Sequence, residues 1–115
     1  MSIKPQFARK IFDGTKKYEF RRNIFKNKNI KKVVVYASSP VKRVIGEFEI
    51  DHILEMDLES LWFSTFSYAG ISKEYFMNYY KGKNKGYAIK ISKVREYSEP
   101  LCLEDNFNLN PPQSF

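Results

Sequence analysis

Lys16, Glu19 and Arg21 place an ammonium, a carboxylate and a guanidinium within six residues of the stretch Gly14-Thr15-Lys16-Lys17-Tyr18-Glu19-Phe20-Arg21-Arg22. Lysine among other cations shifts its pKa readily, so Lys16 and Glu19 can serve as a base and acid pair. They can equally hold a base edge and a phosphate. Arg21 suits bidentate phosphate contact, or a structural pair with Glu19. Tyr18 and Phe20 alternate with Glu19 and Arg21, the period of a half-buried strand. The aromatics should then face the core, with Glu19 and Arg21 together on the opposite face. That face is either a site built on a rigid element or a solvated surface with a weak ion pair.

Lys4, Arg22 and Lys42 are further candidates for phosphate contact, or ordinary surface charge. Ser38 and Ser39 follow an apolar run and can donate to a ligand, or simply form a turn. His52 stands beside Asp51 with no Ser or Cys next to it, which points to a structural role. One histidine and one cysteine, Cys102, exclude an all-protein Cys/His zinc cluster and an internal disulfide. The acids Glu47, Glu49, Asp51, Glu55, Asp57 and Glu59 fall on a strand and a helix that scatter their directions, so a solvated face is expected. Neither a metal nor a cofactor is expected.

The elements that must position these residues can be read from local signals. Ser2-Ile3-Lys4 reads as a short strand. Pro5 suits the first position of a helix carrying Phe7, Ala8, Ile11 and Phe12, which Gly14 stops. A strand follows to Arg22, then a polar basic connection from Asn23 to Asn29. Ile30 to Ala37 reads as a strand buried on both faces. Ser38-Ser39-Pro40 breaks it, and Val41 to Ile50 forms its antiparallel partner. Residues 51–56 read as a transition. Asp57 caps a helix bearing Leu58, Leu61, Trp62 and Thr65, and Ser72 caps a second bearing Tyr75, Phe76, Tyr79 and Tyr80. That aromatic stripe suits core packing better than base stacking. A last strand runs from Tyr87 to about Tyr97, ended by Ser98-Glu99-Pro100. Pro111 to Phe115 reads as extended. The order is strand, helix, three strands, two helices, strand. It suggests an α+β fold, a small mixed β-barrel flanked by short helices.

A length of 115 residues fits a single domain spanning 1–115. No apolar run approaches the ~18 residues of a membrane span, and with no secretory h-region after Met-Ser-Ile-Lys-Pro no leader is expected. A cytoplasmic location without membrane contact is the expectation. The net charge of +7 is uneven: residues 1–43 carry +11 and residues 44–115 carry −4. A basic half of this kind favours a polyanion such as RNA, DNA or a nucleotide phosphate.

Gly14-Thr15-Lys16-Lys17-Tyr18-Glu19-Phe20-Arg21 resembles the G-x-K-x-x-E-x-R signature of ASCH domains, members of the PUA-like superfamily of RNA-associated β-barrels. Ser2-Ile3-Lys4-Pro5 is similar to the opening of such domains. Val34 to Val41 followed by Gly46-Glu47-Phe48 resembles the hairpin of one bacterial group, and Pro111 to Phe115 resembles its end. The resemblance implies a PUA-like barrel with a cleft between the first helix and the sheet, lined by the signature residues. It implies an RNA- or nucleotide-binding module, often a predicted regulator of transcription or RNA metabolism. The ligand-binding set is then Lys4, Lys16, Glu19, Arg21, Arg22, Ser38, Ser39 and Lys42. The alternative is a metal-independent hydrolase, a ribonuclease or a modified-nucleoside amidohydrolase, using Lys16 and Glu19. The amidohydrolases of this family use a Lys, a Thr and a Glu. Lys16 matches the first, Glu19 occupies the Thr position, and no counterpart of their Glu is evident near Tyr68. Deacetylation of acetylcytidine is therefore expected to be absent or very slow.

Overall fold

A computed structural model describes residues 1–27 and 29–102 of the chain. The elements are β1 (Ser2–Ile3), α1 (Pro5–Asp13), β2 (Tyr18–Arg21), β3 (Lys32–Ala37), β4 (Arg43–Asp57), α2 (Leu58–Thr65), α3 (Lys73–Tyr79) and β5 (Lys85–Leu101), with a 3-10 turn at Phe66–Tyr68. Their order agrees with the sequence reading, and so do the α1 stop at Gly14 and the helix caps at Asp57 and Ser72. Gly14 closes α1 in the left-handed conformation. The Asp57 carboxylate accepts from the Ser60 N–H, and the Ser72 hydroxyl accepts from the Tyr75 N–H.

Five strands form one sheet in the order β1-β3-β4-β5-β2. β1 runs parallel to β3, and the other pairs are antiparallel. The sheet is open. β1 and β2 are its two edges and do not pair with each other, so the expected barrel is not formed. The cause lies in β1, which is two residues long because Pro5 starts α1 immediately after Lys4. Met1 and Ile3 spend their carbonyls on Tyr36 and Ser38 of the β3 side. The Ser2 carbonyl faces the other way, and a side chain from β2 takes it instead of a strand: Arg21 Nη2 donates to it at 3.1 Å.

Several boundaries also differ from expectation. Residues 51–56 are not a transition, because β4 continues through them, paired with Lys90 back to Gly86 of β5. β5 passes Ser98-Glu99-Pro100 and ends at Leu101. β3 is one-faced at its start, where Lys32 and Val34 are exposed between and beside buried Val33 and Val35. Pro111 to Phe115 lies outside the described residues.

Two hydrophobic clusters flank the sheet. Ala8 and Ile11 of α1 pack on Val33, Val35, Phe48, Ile89 and Ile91. On the other side Leu61, Phe76 and Tyr80 of the α2–α3 pair pack on Phe20 and Ala88. β5 serves both through its alternation, with Ala88 turned one way and Ile89 the other. The aromatic stripe of α3 is chiefly core: Phe76 and Tyr80 are fully buried, and Phe20 meets both rings edge-on.

Candidate functional site

The gap between the two sheet edges is a cleft. Ser2, Ile3 and Lys4 form one side, and Lys16, Glu19 and Arg21 form the other. Phe7 of α1, Phe20 of β2, and Tyr75 and Tyr79 of α3 supply aromatic walls. Its volume is about 100 Å³, room for roughly three waters at ~30 Å³ each.

Glu19 and Arg21 are not on a solvated face. Arg21 is 2% exposed and Glu19 8%, because the edge strand carrying them is covered by the β1–α1 segment. Arg21 Nη2 lies 3.2 Å from Glu19 Oε2 while also donating to Ser2. Burial pushes the Glu19 carboxyl up from its ordinary value, opposed by the charges of Arg21 and then Lys16. Phe20 is buried as expected, whereas Tyr18 is half-buried.

Lys16 is 2% exposed. Its ammonium donates to the Ala69 carbonyl at 2.6 Å and lies 4.9 Å from the Phe20 ring centre and 5.4 Å from that of Phe7. Desolvation lowers its pKa to about 8, helped by the charge of Lys10 and opposed by that of Glu19. The carboxyl is thus pushed toward its neutral form and the ammonium toward its neutral form, a division that suits one group to give a proton and the other to take it.

The loop at residues 68–70 holds Lys16 in place. Its three successive carbonyls each accept from the α1–β2 segment: Tyr68 from the Lys17 N–H at 2.9 Å, Ala69 from Lys16 Nζ, and Gly70 from Lys10 Nζ at 2.9 Å. The Lys10 carbonyl in turn accepts from the Lys16 N–H at 3.0 Å. These bonds close a ring through Lys10, Lys16 and the loop. Gly70 has φ +70, and a Cβ there would come within 2.7 Å of Lys16 Cβ and Cγ. Only glycine lets the loop lie along the lysine stem.

Of the residues singled out in the sequence, Lys4, Lys16, Glu19 and Arg21 converge on the cleft. Lys4 is exposed at its rim, its Nζ donating to the Tyr75 hydroxyl at 3.3 Å. Arg22, Ser38, Ser39 and Lys42 do not line it. Arg22 sits past the end of β2 and is exposed, and the other three lie in the β3–β4 turn. The sequence pattern puts Phe7, Tyr75 and Tyr79 on the packed faces of helices and Ala69 and Gly70 in a loop. An aromatic stripe cannot announce that one of its residues faces a cleft, and a glycine in a loop is too common to announce the close approach to Lys16. His52 is exposed, with Nδ1 3.2 Å from Asp51 Oδ2. Among the described residues, no three His, Cys, Asp or Glu side chains come together as a metal site. Glu19 is the only acid on the cleft's lining among them, so the second carboxylate of the amidohydrolase pattern has no counterpart there. No helix among the described residues is long and apolar enough to cross a membrane.

Residues 2–109 match the family model of a domain of unknown function, DUF365. An ASCH domain-containing ribonuclease of Zymomonas mobilis is 32% identical over 117 residues, covering 99% of this chain and 79% of the relative. The large ribosomal subunit protein uL22 of Ureaplasma parvum is 29% identical over 115 residues, all of this chain but only 37% of that protein. The crystal structure of the ASCH protein from Zymomonas mobilis superposes with a TM-score of 0.89 at 31% identity, covering 99% of this chain and 82% of the other.

Proposed function

Since the chain belongs to the ASCH family of PUA-like domains and to DUF365, we propose that it binds single-stranded RNA or a nucleotide by taking one base into the β1–β2 cleft. One observation carries this reading: a buried Lys16–Glu19–Arg21 set lies at the floor of an aromatic-walled cleft of about 100 Å³. A carboxylate accepts from exocyclic amino groups, and ammonium and guanidinium groups donate to ring nitrogens and carbonyls. Aromatic walls stack on any base. Ligand sites for whole drug-sized molecules run from about 300 Å³ upward, so the sugar and phosphate stay outside, where Lys4 stands at the rim. The basic N-terminal half attracts the strand to that side. DNA is a weaker alternative, and a regulatory role in RNA metabolism or transcription, inside the cytoplasm, completes the proposal.

A second reading, a ribonuclease without metal, is favoured by the opposed shifts of Lys16 and Glu19 and by the ribonuclease relative. In that case neutral Lys16 would take the 2′-hydroxyl proton, and protonated Glu19 would give one to the leaving 5′-oxygen. Arg21 would hold the phosphoryl oxygens. The difficulty is access: with Lys16 only 2% exposed, a phosphodiester must enter a space sized for a ring. That restricted access favours binding over cleavage.

Fluorescence anisotropy of a labelled single-stranded RNA, run with EDTA present and followed by gel analysis of the same samples, tests both. Saturable binding that is weakened by Glu19→Gln and Lys16→Met, with melting temperatures kept, is the expected result. Cut RNA that is absent with Lys16→Met would establish the ribonuclease. Variants that bind as the wild type does would refute the cleft.

A further inference from the structure

A second cavity of about 300 Å³ adjoins the end of β2, lined by Ile24, Phe25, Ile30 and Lys31 of the β2–β3 connection and by residues of β4 and β5. We propose that this cavity, walled by Phe25 and Tyr87, is a subsite for the base next to the one held in the β1–β2 cleft. The inference rests on the binding reading given above and adds the length of strand that the protein grips.

Adjacency is the first reason. Arg21, which lines the cleft, and Tyr87, which lines the second cavity, are cross-strand partners of β2 and β5. Directly opposed residues in an antiparallel pair have Cα atoms about 5 Å apart. The two cavities therefore flank one cross-strand pair, and on the binding reading neighbouring nucleotides of one unstacked strand bridge them. Beyond Arg21 the chain itself passes from one to the other, since Arg22 is followed by Ile24 and Phe25 of the cavity wall.

The lining matches a base. Phe25 and Tyr87 supply aromatic side chains, and Ile30, Ile50 and Ile53 supply aliphatic ones. Polar side-chain groups come from Lys31, Asp51, His52 and the Tyr87 hydroxyl. The Asp51 carboxylate accepts from amino and imino hydrogens, and Lys31 and the His52 ring reach carbonyls and ring nitrogens. An apolar lining with few polar groups is what a nucleobase needs, and what a free phosphate does not.

Charge supplies the third reason. Arg22, Lys26 and Lys31 are exposed along the connection that forms the cavity's outer wall, and residues 22–32 contain no acidic residue. A sugar–phosphate backbone running from the rim at Lys4 past Arg22 to Lys31 would stay on cations while its bases turn inward.

Pools of 2′-O-methyl mononucleotides and 2′-O-methyl dinucleotides containing all four bases, which resist cleavage through the 2′ position, test the subsite. Titrated into the full chain by calorimetry, the dinucleotides should bind about tenfold more tightly than the mononucleotides or better, as expected for one added stacked base. Tyr87→Leu, Lys31→Ala and His52→Ala should each reduce that advantage while leaving mononucleotide affinity unchanged. Amide NMR on the wild type needs no variant: shifts at Lys31, His52 and Tyr87 should appear with dinucleotides and be absent with mononucleotides. Mononucleotide binding that Glu19→Gln weakens, with no dinucleotide advantage, overturns the subsite and leaves the cleft standing. An advantage untouched by all three variants also overturns it. Failure of every nucleotide to bind overturns cleft and subsite together.

Discussion

Raising the pH should stabilise this protein through Lys16, and the size of the effect follows from its burial. In the folded chain its pKa is about 8, against an ordinary 10.5. Between those values the unfolded chain holds the proton and the folded chain does not, so stability rises with pH in that window. At 2% exposure no solvent screening reduces the effect. From about pH 7 to about pH 9.5 the difference integrates to roughly 2 kcal/mol in favour of the fold. Urea unfolding of the wild type and of Lys16→Met across that range measures it. The wild-type curve should climb relative to the variant by that amount, while the variant's absolute stability also reflects the altered partner of Glu19. Comparing slopes removes that offset. Lys10→Met should shrink the wild-type slope, because it removes a like charge near Lys16 and frees the Gly70 carbonyl that Lys10 holds. Parallel curves for the wild type and Lys16→Met would show that Lys16 titrates as a solvated lysine, and the account of the cleft floor would fall with it.

Two substitutions test the walls. Phe20→Ala should cost about 3–5 kcal/mol, read from the urea midpoint, because its ring is 6% exposed and meets Phe76 and Tyr80 edge-on; an unchanged midpoint would contradict its burial. Gly70→Ala should destabilise by about 1–3 kcal/mol, from its positive φ and the contact with the Lys16 stem, and should weaken RNA binding beyond what the fall in melting temperature explains. Full affinity in Gly70→Ala would mean that the loop does not set the position of Lys16.

Local signals in the sequence determined the order of elements, because caps, turns and periodicity act over a few residues. Asp57, Ser72 and Gly14 ended or began helices where their side chains, or lack of one, satisfy backbone groups next to them. The spacing Lys16, Glu19, Arg21 also identified the residues that meet, since three of them lie on one short segment. Their environment was decided elsewhere. Alternation placed Glu19 and Arg21 away from Phe20, but whether that second face meets water depends on the β1–α1 segment folding over it. The barrel failed to close for one local and one long-range reason: Pro5 cuts β1 short, and Arg21, not a backbone ladder, spans to Ser2. The length of β4 and β5 was set by their pairing with each other, which outweighed the weak local preferences of residues 51–56 and the break expected at Pro100. Arg22, Ser38, Ser39 and Lys42 share charge or hydrogen-bonding capacity with the cleft residues but not their location. The grip of residues 68–70 on Lys16 joins groups 53 positions apart. Burial and long-range contact are properties of the packed chain, and they are what turn three charged side chains on an edge strand into a candidate site.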